Sequence, residues 1–256
     1  MPTLKHEDCT IYYDDMGRGI PIIFIHPPGM GRLVFLYQHP LADNYRLLIP
    51  DLSGHGQSSI NRNPISIEGY AEEIVALMDH TGVQQAIICG YSAGGHVAHE
   101  VALRNPHRVR GLFLSGGYPK VESKLLQLEY ALGMKMVEKN PDALIRVLAR
   151  THFSDTNIKQ VISGQMRKTE LRSWYYFYEA SLQYDCTERL HEWDKPLHIL
   201  YGNKVKWIKS HSPYYRNCKK ACMMIIEKAT HQLPTKHSHT FNRVLSDFVQ
   251  STCTQK

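Results

Sequence analysis

The chain has 256 residues, of which 43% are hydrophobic and 21% are charged, and its formal net charge is +6. A chain of this length and composition can bury a sizeable core, which excludes a disordered or low-complexity protein. Its Lys and Arg residues are scattered rather than clustered, and this distribution argues against a nucleic-acid-binding surface.

The segment from Met1 to Asp15 lacks the basic-then-apolar order of a signal peptide. No apolar run approaches the roughly 18 residues that a membrane-spanning helix requires. These features predict a cytoplasmic protein without a membrane span. The six Cys residues are irregularly spaced and form no Cys-x-x-Cys motif, so we expect reduced thiols rather than a disulfide framework.

Short apolar runs, most of them without polar alternation, predict strands that are buried on both faces. In chain order these runs are Cys9–Tyr13, Ile22–Ile25, Leu47–Pro50, Ala86–Cys89, Gly111–Leu114, Leu197–Tyr201 and Met223–Ile226. Stretches with helical periodicity lie at Ile67–Thr81, Ala93–Asn105 and Ser238–Val249. Strands that alternate with helices predict an α/β fold with a mostly parallel, doubly wound sheet.

One region interrupts this alternation, because no convincing strand lies between Tyr118 and about Leu190. Helices are predicted there at Leu125–Lys139, Pro141–Thr151 and Leu171–Leu182. We therefore expect a core of residues 1–117 and 191–256 and a helical insertion at 118–190. Since ligand sites of α/β folds form beyond the carboxyl ends of strands, we interpret the insertion as a lid, with extra packing as the alternative.

Aromatic and Met side chains of the insertion either line an apolar pocket or pack between its helices. The residues in question are Met134, Met136, Trp174, Tyr175, Tyr176 and Phe177.

The most informative stretch is the G-x-S-x-G motif Gly90-Tyr91-Ser92-Ala93-Gly94, which connects a predicted strand to a predicted helix. A turn this sharp leaves no room for side chains beside the central residue, so glycines are needed at positions 90 and 94. Ser92 is then held in a strained conformation with its hydroxyl exposed. The following helix directs free N–H groups towards the same place, so we predict that Ser92 is a nucleophile.

Further segments stand in a fixed order around this motif. His26-Pro-Pro-Gly29 precedes it, Asp51-Leu-Ser-Gly-His55-Gly-Gln-Ser58 follows the next apolar run, and Thr230-His231 follows the last apolar run. Together with the motif, this order resembles the α/β-hydrolase superfamily over nearly the whole chain. The resemblance implies that His231 is the general base and that His26 and His55 brace loops.

The resemblance also implies an oxyanion hole, formed by the N–H of Ala93 and by a second N–H from the loop at Pro28 and Gly29. Pro28 departs from the family pattern because it has no N–H to donate. A missing donor costs roughly 10²–10³-fold in rate unless Gly29 or a side chain replaces it.

The acid of the expected triad is a second departure. The family places a carboxylate a few residues after the penultimate strand, where this chain has Val205. Loss of that carboxylate alone commonly costs about 10⁴-fold in turnover. Glu122 or Asp185 could supply the acid instead, or the site is a Ser–His dyad or relies on a water-supported His.

These features predict a carboxylesterase-like serine hydrolase that acts on esters of small, partly apolar substrates through an acyl-enzyme at Ser92. The alternative, motivated by Val205 and Pro28, is a ligand-binding or signalling protein on the same scaffold with little or no turnover. Peroxidase-like and dehalogenase chemistry are disfavoured, the latter because residue 92 is not Asp. No motif indicates a metal ion or an organic cofactor, and the expected partner is a small-molecule ester.

Overall fold

The computed structural model describes residues 2–205 and 210–254, and its strands form one sheet in the order β1-β2-β4-β3-β5-β6-β7-β8. The strands are β1 (Thr3–His6), β2 (Cys9–Met16), β3 (Pro21–Ile25), β4 (Arg46–Pro50), β5 (Ala86–Tyr91), β6 (Val109–Ser115), β7 (Leu197–Gly202) and β8 (Ala221–Ile226). β3 to β8 pair in parallel, whereas β1 and β2 are antiparallel additions at one edge. The predicted mostly parallel α/β sheet is therefore confirmed.

The helices follow the predicted positions, with two additions, one in the segment between the sixth and seventh strands and a single turn before the last helix. They are α1 (Ile67–His80), α2 (Gly94–Arg104), α3 (Lys124–Lys139), α4 (Pro141–His152), α5 (Thr156–Met166), α6 (Leu171–Gln183), α7 (Leu233–Lys236) and α8 (Ser238–Thr254). The helix α5 was not predicted, because only Ile162, Gln165 and Met166 of its residues are buried and its apolar stripe is correspondingly short. The strand β1 was also missed, because Leu4 is its only buried residue.

The central strands are buried on both faces of the sheet, as their unbroken apolar runs indicated. In β3, Ile23 and Ile25 pack with the residues of α1 and α2, whereas Ile22 and Phe24 pack on the opposite face with those of α8. All four side chains are fully buried. The core therefore consists of two apolar layers, one on each side of the sheet.

The segment between β6 and β7 consists of the helices α3 to α6. It is fastened to the rest of the chain by Gln165, whose side-chain amide donates to both carboxylate oxygens of Asp51 at 2.9 Å. Arg32 forms an ion pair with the same carboxylate at 2.6 Å. Because Asp51 is fully buried, loss of either partner would leave an incompletely satisfied charge inside the protein.

Within the described ranges, no helix is both long and apolar enough to cross a membrane. The cysteines shown as free thiols are Cys9, Cys89, Cys186, Cys218 and Cys222, whereas the side chain of Cys253 lies outside the described part. Of the expected core, residues 1, 206–209 and 255–256 also lie outside it. The cytoplasmic location stays a prediction from the sequence.

Candidate active site

The turn between β5 and α2 holds Ser92 in a left-handed conformation, with φ of +54°. A Cβ atom at Gly94 would overlap the carbonyl oxygen of Ile25, and one at Gly90 would lie 2.7 Å from Cα of Gly95. Both glycines are therefore required for the close approach of helix to sheet. The strain at Ser92, typically about 1–3 kcal/mol, is maintained by a hydrogen bond from its N–H to the Ser115 carbonyl at 2.9 Å.

His231 lies in the loop between β8 and α7, and its Nε2 is 2.8 Å from Oγ of Ser92. The imidazole sits against Gly116, where a Cβ atom would approach its Cε1 to 2.5 Å. The ring of Tyr91 packs against the imidazole, with 5.5 Å between the ring centroids and 33° between the planes. The structure thus brings the two residues predicted as nucleophile and base into hydrogen-bonding contact.

The environment of His231 favours the neutral imidazole. Burial, and to a lesser degree the nearby His152, lower the pKa of His231 to about 3. A neutral ring whose Nε2 accepts a proton from Ser92 carries its own proton on Nδ1. The imidazole can therefore act as a proton acceptor from neutral pH down to mildly acidic pH.

The loop after β3 contains the turn Pro27–Met30, which is closed by a hydrogen bond from the Met30 N–H to the Pro27 carbonyl at 3.3 Å. Gly29 has φ of +79°, and a Cβ atom there would overlap the indole of Trp174 on α6. Thr169 donates its hydroxyl to the Gly29 carbonyl at 3.2 Å. The helical insertion therefore fixes the conformation of the loop that carries Pro28.

Two buried histidines brace this part of the sheet edge. Nδ1 of His26 donates to the Pro27 carbonyl at 2.9 Å, and its Nε2 accepts the N–H of Leu52 at 3.0 Å. Burial lowers the pKa of His26 to about 4 and that of His55 to about 3. Both nitrogens of His26 are used structurally, which agrees with the bracing role implied by the sequence.

The two alternative acids make their contacts elsewhere. Glu122 accepts a hydrogen bond from the hydroxyl of Tyr214 at 2.5 Å, and Asp185 accepts one from the hydroxyl of Thr187 at 2.6 Å. Each carboxylate also lies 3.8 Å from Nζ of Lys120. Both carboxylates are about half exposed, and the structure joins neither of them to the candidate base.

Val205 stands at the position where the family carries its acid. Its side chain is apolar and packs against the hydrophobic core. It borders a small cavity together with Tyr201 and Met223. Among the described residues, no carboxylate raises the pKa of His231. The identity of a third residue beside Ser92 and His231 stays a prediction from the sequence.

A cavity of about 440 Å³ opens above Ser92 and His231. Its floor includes Pro28 and Ala93, and its walls come from the insertion, among them Leu126, Leu132, Met136, Leu144, Val147 and Leu148. The described residues contain no group of three or more His, Cys, Asp or Glu side chains placed to hold a metal ion. The cavity is mainly apolar, and its polar lining residues include Ser92 and His231 at one side and Glu129 and Thr151 on the insertion.

Of the aromatic and Met residues that the sequence offered as pocket lining, Met136 alone borders this cavity. Trp174 and Phe177 are fully buried against the core, so for them the expectation of pocket lining is wrong and the packing alternative holds. Trp174 packs against Gly29 and Phe177 against Tyr70, whereas Tyr178 on the same helix borders the cavity.

Among the cavity-bordering residues that the sequence analysis missed, three stand close to the Ser–His pair or bond to residues that do. They are Tyr91, Tyr118 and His152. Nδ1 of His152 donates to the Leu148 carbonyl at 2.9 Å, which leaves its Nε2 to accept the hydroxyl of Tyr91 at 2.9 Å. Tyr91 lies inside the G-x-S-x-G motif and could have been found, whereas no sequence pattern marks the other two.

Comparison with known proteins agrees with this architecture. Residues 20–181 match the family model described as the alpha/beta hydrolase fold. The chain is 26% identical to a non-heme haloperoxidase of Rhodococcus erythropolis, in a match that covers 98% of this chain and 100% of that protein. At this identity, the activity in the relative's name does not transfer to the chain.

A second relative is 3-oxoadipate enol-lactonase 2 of Acinetobacter baylyi, which is 28% identical over 46% of each protein. The chain spans about half the length of several curated relatives that it matches. Among solved structures, an esterase from Exiguobacterium antarcticum superposes with a TM-score of 0.87 at 17% identity, covering 97% of this chain and 98% of that one, which shows a shared fold. With the family model matching more than half of its residues, the chain belongs to the α/β-hydrolase-fold family.

Proposed function

We propose that the protein is a serine hydrolase that cleaves carboxylic esters, with Ser92 as nucleophile and His231 as general base. The observation that carries this proposal is the 2.8 Å contact between Oγ of Ser92 and Nε2 of His231 at the floor of a 440 Å³ cavity. A strained serine beside a neutral imidazole and a helix N-terminus has the parts that acyl transfer requires.

In the first half-reaction, Oγ of Ser92 attacks the ester carbonyl carbon while its proton passes to Nε2 of His231. The N–H of Ala93, at the N-terminus of α2, stabilises the negative charge that forms on the carbonyl oxygen. The carbon–oxygen bond to the alcohol then breaks, and the alcohol leaves with the proton held by His231.

In the second half-reaction, water attacks the acyl-enzyme and gives one proton to His231. Collapse of the tetrahedral intermediate breaks the bond between the acyl carbon and Oγ, and the proton returns to Ser92. The products are a carboxylic acid and an alcohol, and the enzyme is regenerated without any redox change.

The size and apolar walls of the cavity favour small, partly apolar esters. The enol-lactonase among the relatives supports ester cleavage, because an enol-lactone is a cyclic ester. We also infer that residues 118–190 act as a lid over a core of residues 1–117 and 191–256, since the helices α3, α4 and α6 provide most of the cavity wall.

The test is labelling with a fluorophosphonate probe together with hydrolysis of p-nitrophenyl acetate and butyrate. We expect the wild-type protein to be labelled at Ser92 and to hydrolyse both esters, and Ser92→Ala to abolish both properties. His231→Gln should lower kcat by roughly 10⁴-fold or more. His237→Gln is the matched control, because His237 lies between α7 and α8 and does not border the cavity.

Thermal unfolding must show that the variants remain folded. If the folded wild-type protein is not labelled and hydrolyses neither ester, the proposal is wrong and the ligand-binding or signalling alternative takes its place. The second candidate would then be examined by titrating the 440 Å³ cavity with apolar esters and following their binding calorimetrically.

A further inference from the structure

The charge that develops on a carbonyl oxygen during acyl transfer needs hydrogen-bond donors aimed at it. In this site Ala93 offers its N–H, but Pro27 and Pro28, which border the same cavity, have none to offer. The geometry points to the side-chain hydroxyl of Tyr118 as an additional donor to that oxygen, which makes Tyr118 a catalytic residue. This inference rests on the proposed ester hydrolysis.

Tyr118 comes shortly after β6, the strand that neighbours β5, so both strands deliver their next residues to the same edge of the sheet. The side chain of Tyr118 is 1% exposed and packs with Ala93, Leu126 and Tyr130 in one cluster. It borders the same cavity as Ser92. The phenol is therefore held rigidly beside the helix N-terminus instead of reaching in from a mobile surface.

The hydroxyl of Tyr118 interacts with two other hydroxyls, those of Ser92 and Tyr130. Since Ser92 gives its proton to His231, its oxygen can accept from Tyr118 before substrate binds. After attack, the oxyanion is attached to the same carbon as Oγ of Ser92. A donor already in contact with that Oγ needs only a small reorientation to reach the oxyanion.

The contact with Tyr130 allows Tyr118 to direct its own proton towards the cavity. Tyr130 can donate its own proton to the Tyr118 oxygen, which leaves Tyr118 to donate onward, and such chains of hydroxyls strengthen one another. Burial raises the pKa of both phenols, outweighing the contacts with Ser92 and Tyr130 that favour ionised Tyr118. Both therefore stay protonated at neutral pH.

Neighbouring tyrosines are committed to other partners. Tyr91 donates its hydroxyl proton to Nε2 of His152 at 2.9 Å, because Nδ1 of the same ring donates to the Leu148 carbonyl. Tyr201 donates to the Gly117 carbonyl at 2.7 Å. Neither of them can turn its proton towards the substrate without breaking a buried hydrogen bond, which makes Tyr118 the better donor.

The experiment compares ground-state and transition-state binding in Tyr118→Phe. We expect kcat/KM for p-nitrophenyl butyrate to fall by about 10²-fold or more, and the affinity for an aryl trifluoromethyl ketone, whose adduct with Ser92 is an oxyanion, to fall by a similar factor. KM should change less than about threefold, because the hydrogen bond forms mainly in the transition state.

Tyr184→Phe is the matched control, because it also removes a buried phenol hydroxyl, one that donates to Glu100 at 2.9 Å outside the cavity. It should lower thermal stability and leave the ketone affinity unchanged. The double variant Tyr118→Phe/Tyr130→Phe removes both hydroxyls of this pair together, so it covers the case in which Tyr118→Phe alone leaves the Tyr130 hydroxyl without Tyr118 and does not fold.

The inference is overturned if folded Tyr118→Phe or the double variant retains the wild-type ketone affinity, or if the loss is confined to KM. In both cases a labelled, active wild-type enzyme leaves the proposed function standing. A wild-type protein that is neither labelled nor active removes the proposed function, and the inference falls with it.

Discussion

Nε2 of His231 lies 2.8 Å from Oγ of Ser92, although the two residues are 139 positions apart in the chain. The contact exists because β5 and β8 end at the same edge of the parallel sheet, with β6 and β7 between them. Ser92 is presented by the turn into α2, and His231 by the loop that follows β8. The placement follows the general rule for ligand sites in open α/β sheets.

The pH dependence of kcat/KM should lack the fall near pH 6.5 that an ordinary histidine base produces. Burial and His152 lower the pKa of His231 to about 3, so its imidazole is already neutral at pH 5. We expect kcat/KM to be constant within about twofold between pH 5 and pH 8, corrected for spontaneous ester hydrolysis. A fall centred between pH 6 and pH 7 in folded protein would contradict this.

The stability of the protein should decrease as the pH falls below 6.5. Burial lowers the pKa of His26, His99 and His152 to about 4 and that of His55 and His231 to about 3. Each of these rings takes up a proton near pH 6.5 in the unfolded chain but not in the native one. Lowering the pH therefore stabilises the unfolded state relative to the native state. The cost is about 1 kcal/mol per histidine between pH 6.5 and pH 5.5.

Glu73 acts in the opposite direction and stabilises the native state as the pH falls. Burial raises the pKa of its carboxyl to about 7, so the native state takes up this proton at a higher pH than the unfolded chain does. Its contribution should offset about one histidine, which leaves a net loss of about 4 kcal/mol from these groups over the same interval. Urea unfolding at pH 6.5 and pH 5.5 measures the difference, and Glu73→Gln should enlarge it by about 1 kcal/mol. A free energy of unfolding that is independent of pH in this interval would show that these histidines are not buried as neutral rings.

Glu122→Gln and Asp185→Asn should each change kcat by less than about threefold. Their carboxylates are half exposed and bonded to Tyr214, Thr187 and Lys120, and pairs of this kind contribute little energy. Removal of a true triad acid would instead cost about 10⁴-fold. A loss of that size in one of the two variants would identify it as the relocated acid.

Met136→Trp should narrow the cavity and shift the preference towards short acyl chains. We expect kcat/KM for p-nitrophenyl butyrate to fall by about tenfold relative to that for the acetate, since small changes in an apolar pocket discriminate by this order. Met134→Trp is the control, because Met134 lies on the same helix but does not border the cavity. Equal selectivity in the two variants would show that the acyl group binds elsewhere.

Gly94→Ala should destabilise the protein by about 2 kcal/mol or more, because its Cβ would overlap the carbonyl oxygen of Ile25. Gly164→Ala, in α5, is the matched control: nothing lies within 4 Å of the added Cβ, and removal of a helical glycine should stabilise by about 0.5–1 kcal/mol. Chemical denaturation of both variants gives the comparison. Equal stability of the two would mean that the turn at Ser92 is wider than the structure shows.

The amino-acid sequence was enough to predict the class of fold, which the structure confirms, and to single out Ser92 and His231, which the structure brings into contact. Unbroken apolar runs predict strands buried on both faces, and the glycines around Ser92 predict a turn that a side chain would block. These features are local, since strand burial and turn sterics depend on a few consecutive residues. The candidate role of Ser92 followed from the turn, and that of His231 from the resemblance of the segment order to the α/β-hydrolase superfamily.

Tertiary structure alone decided which side chains of the insertion face the cavity and where the remaining polar groups point. Trp174 and Met136 belong to the same class of residue, yet one packs under Gly29 and the other borders the cavity, because helix phase and docking set their directions. Tyr118 and His152 carry no local signal. Their places beside Ser92 and Tyr91 depend on contacts between segments that are distant in the chain, and composition or periodicity encodes no such contacts.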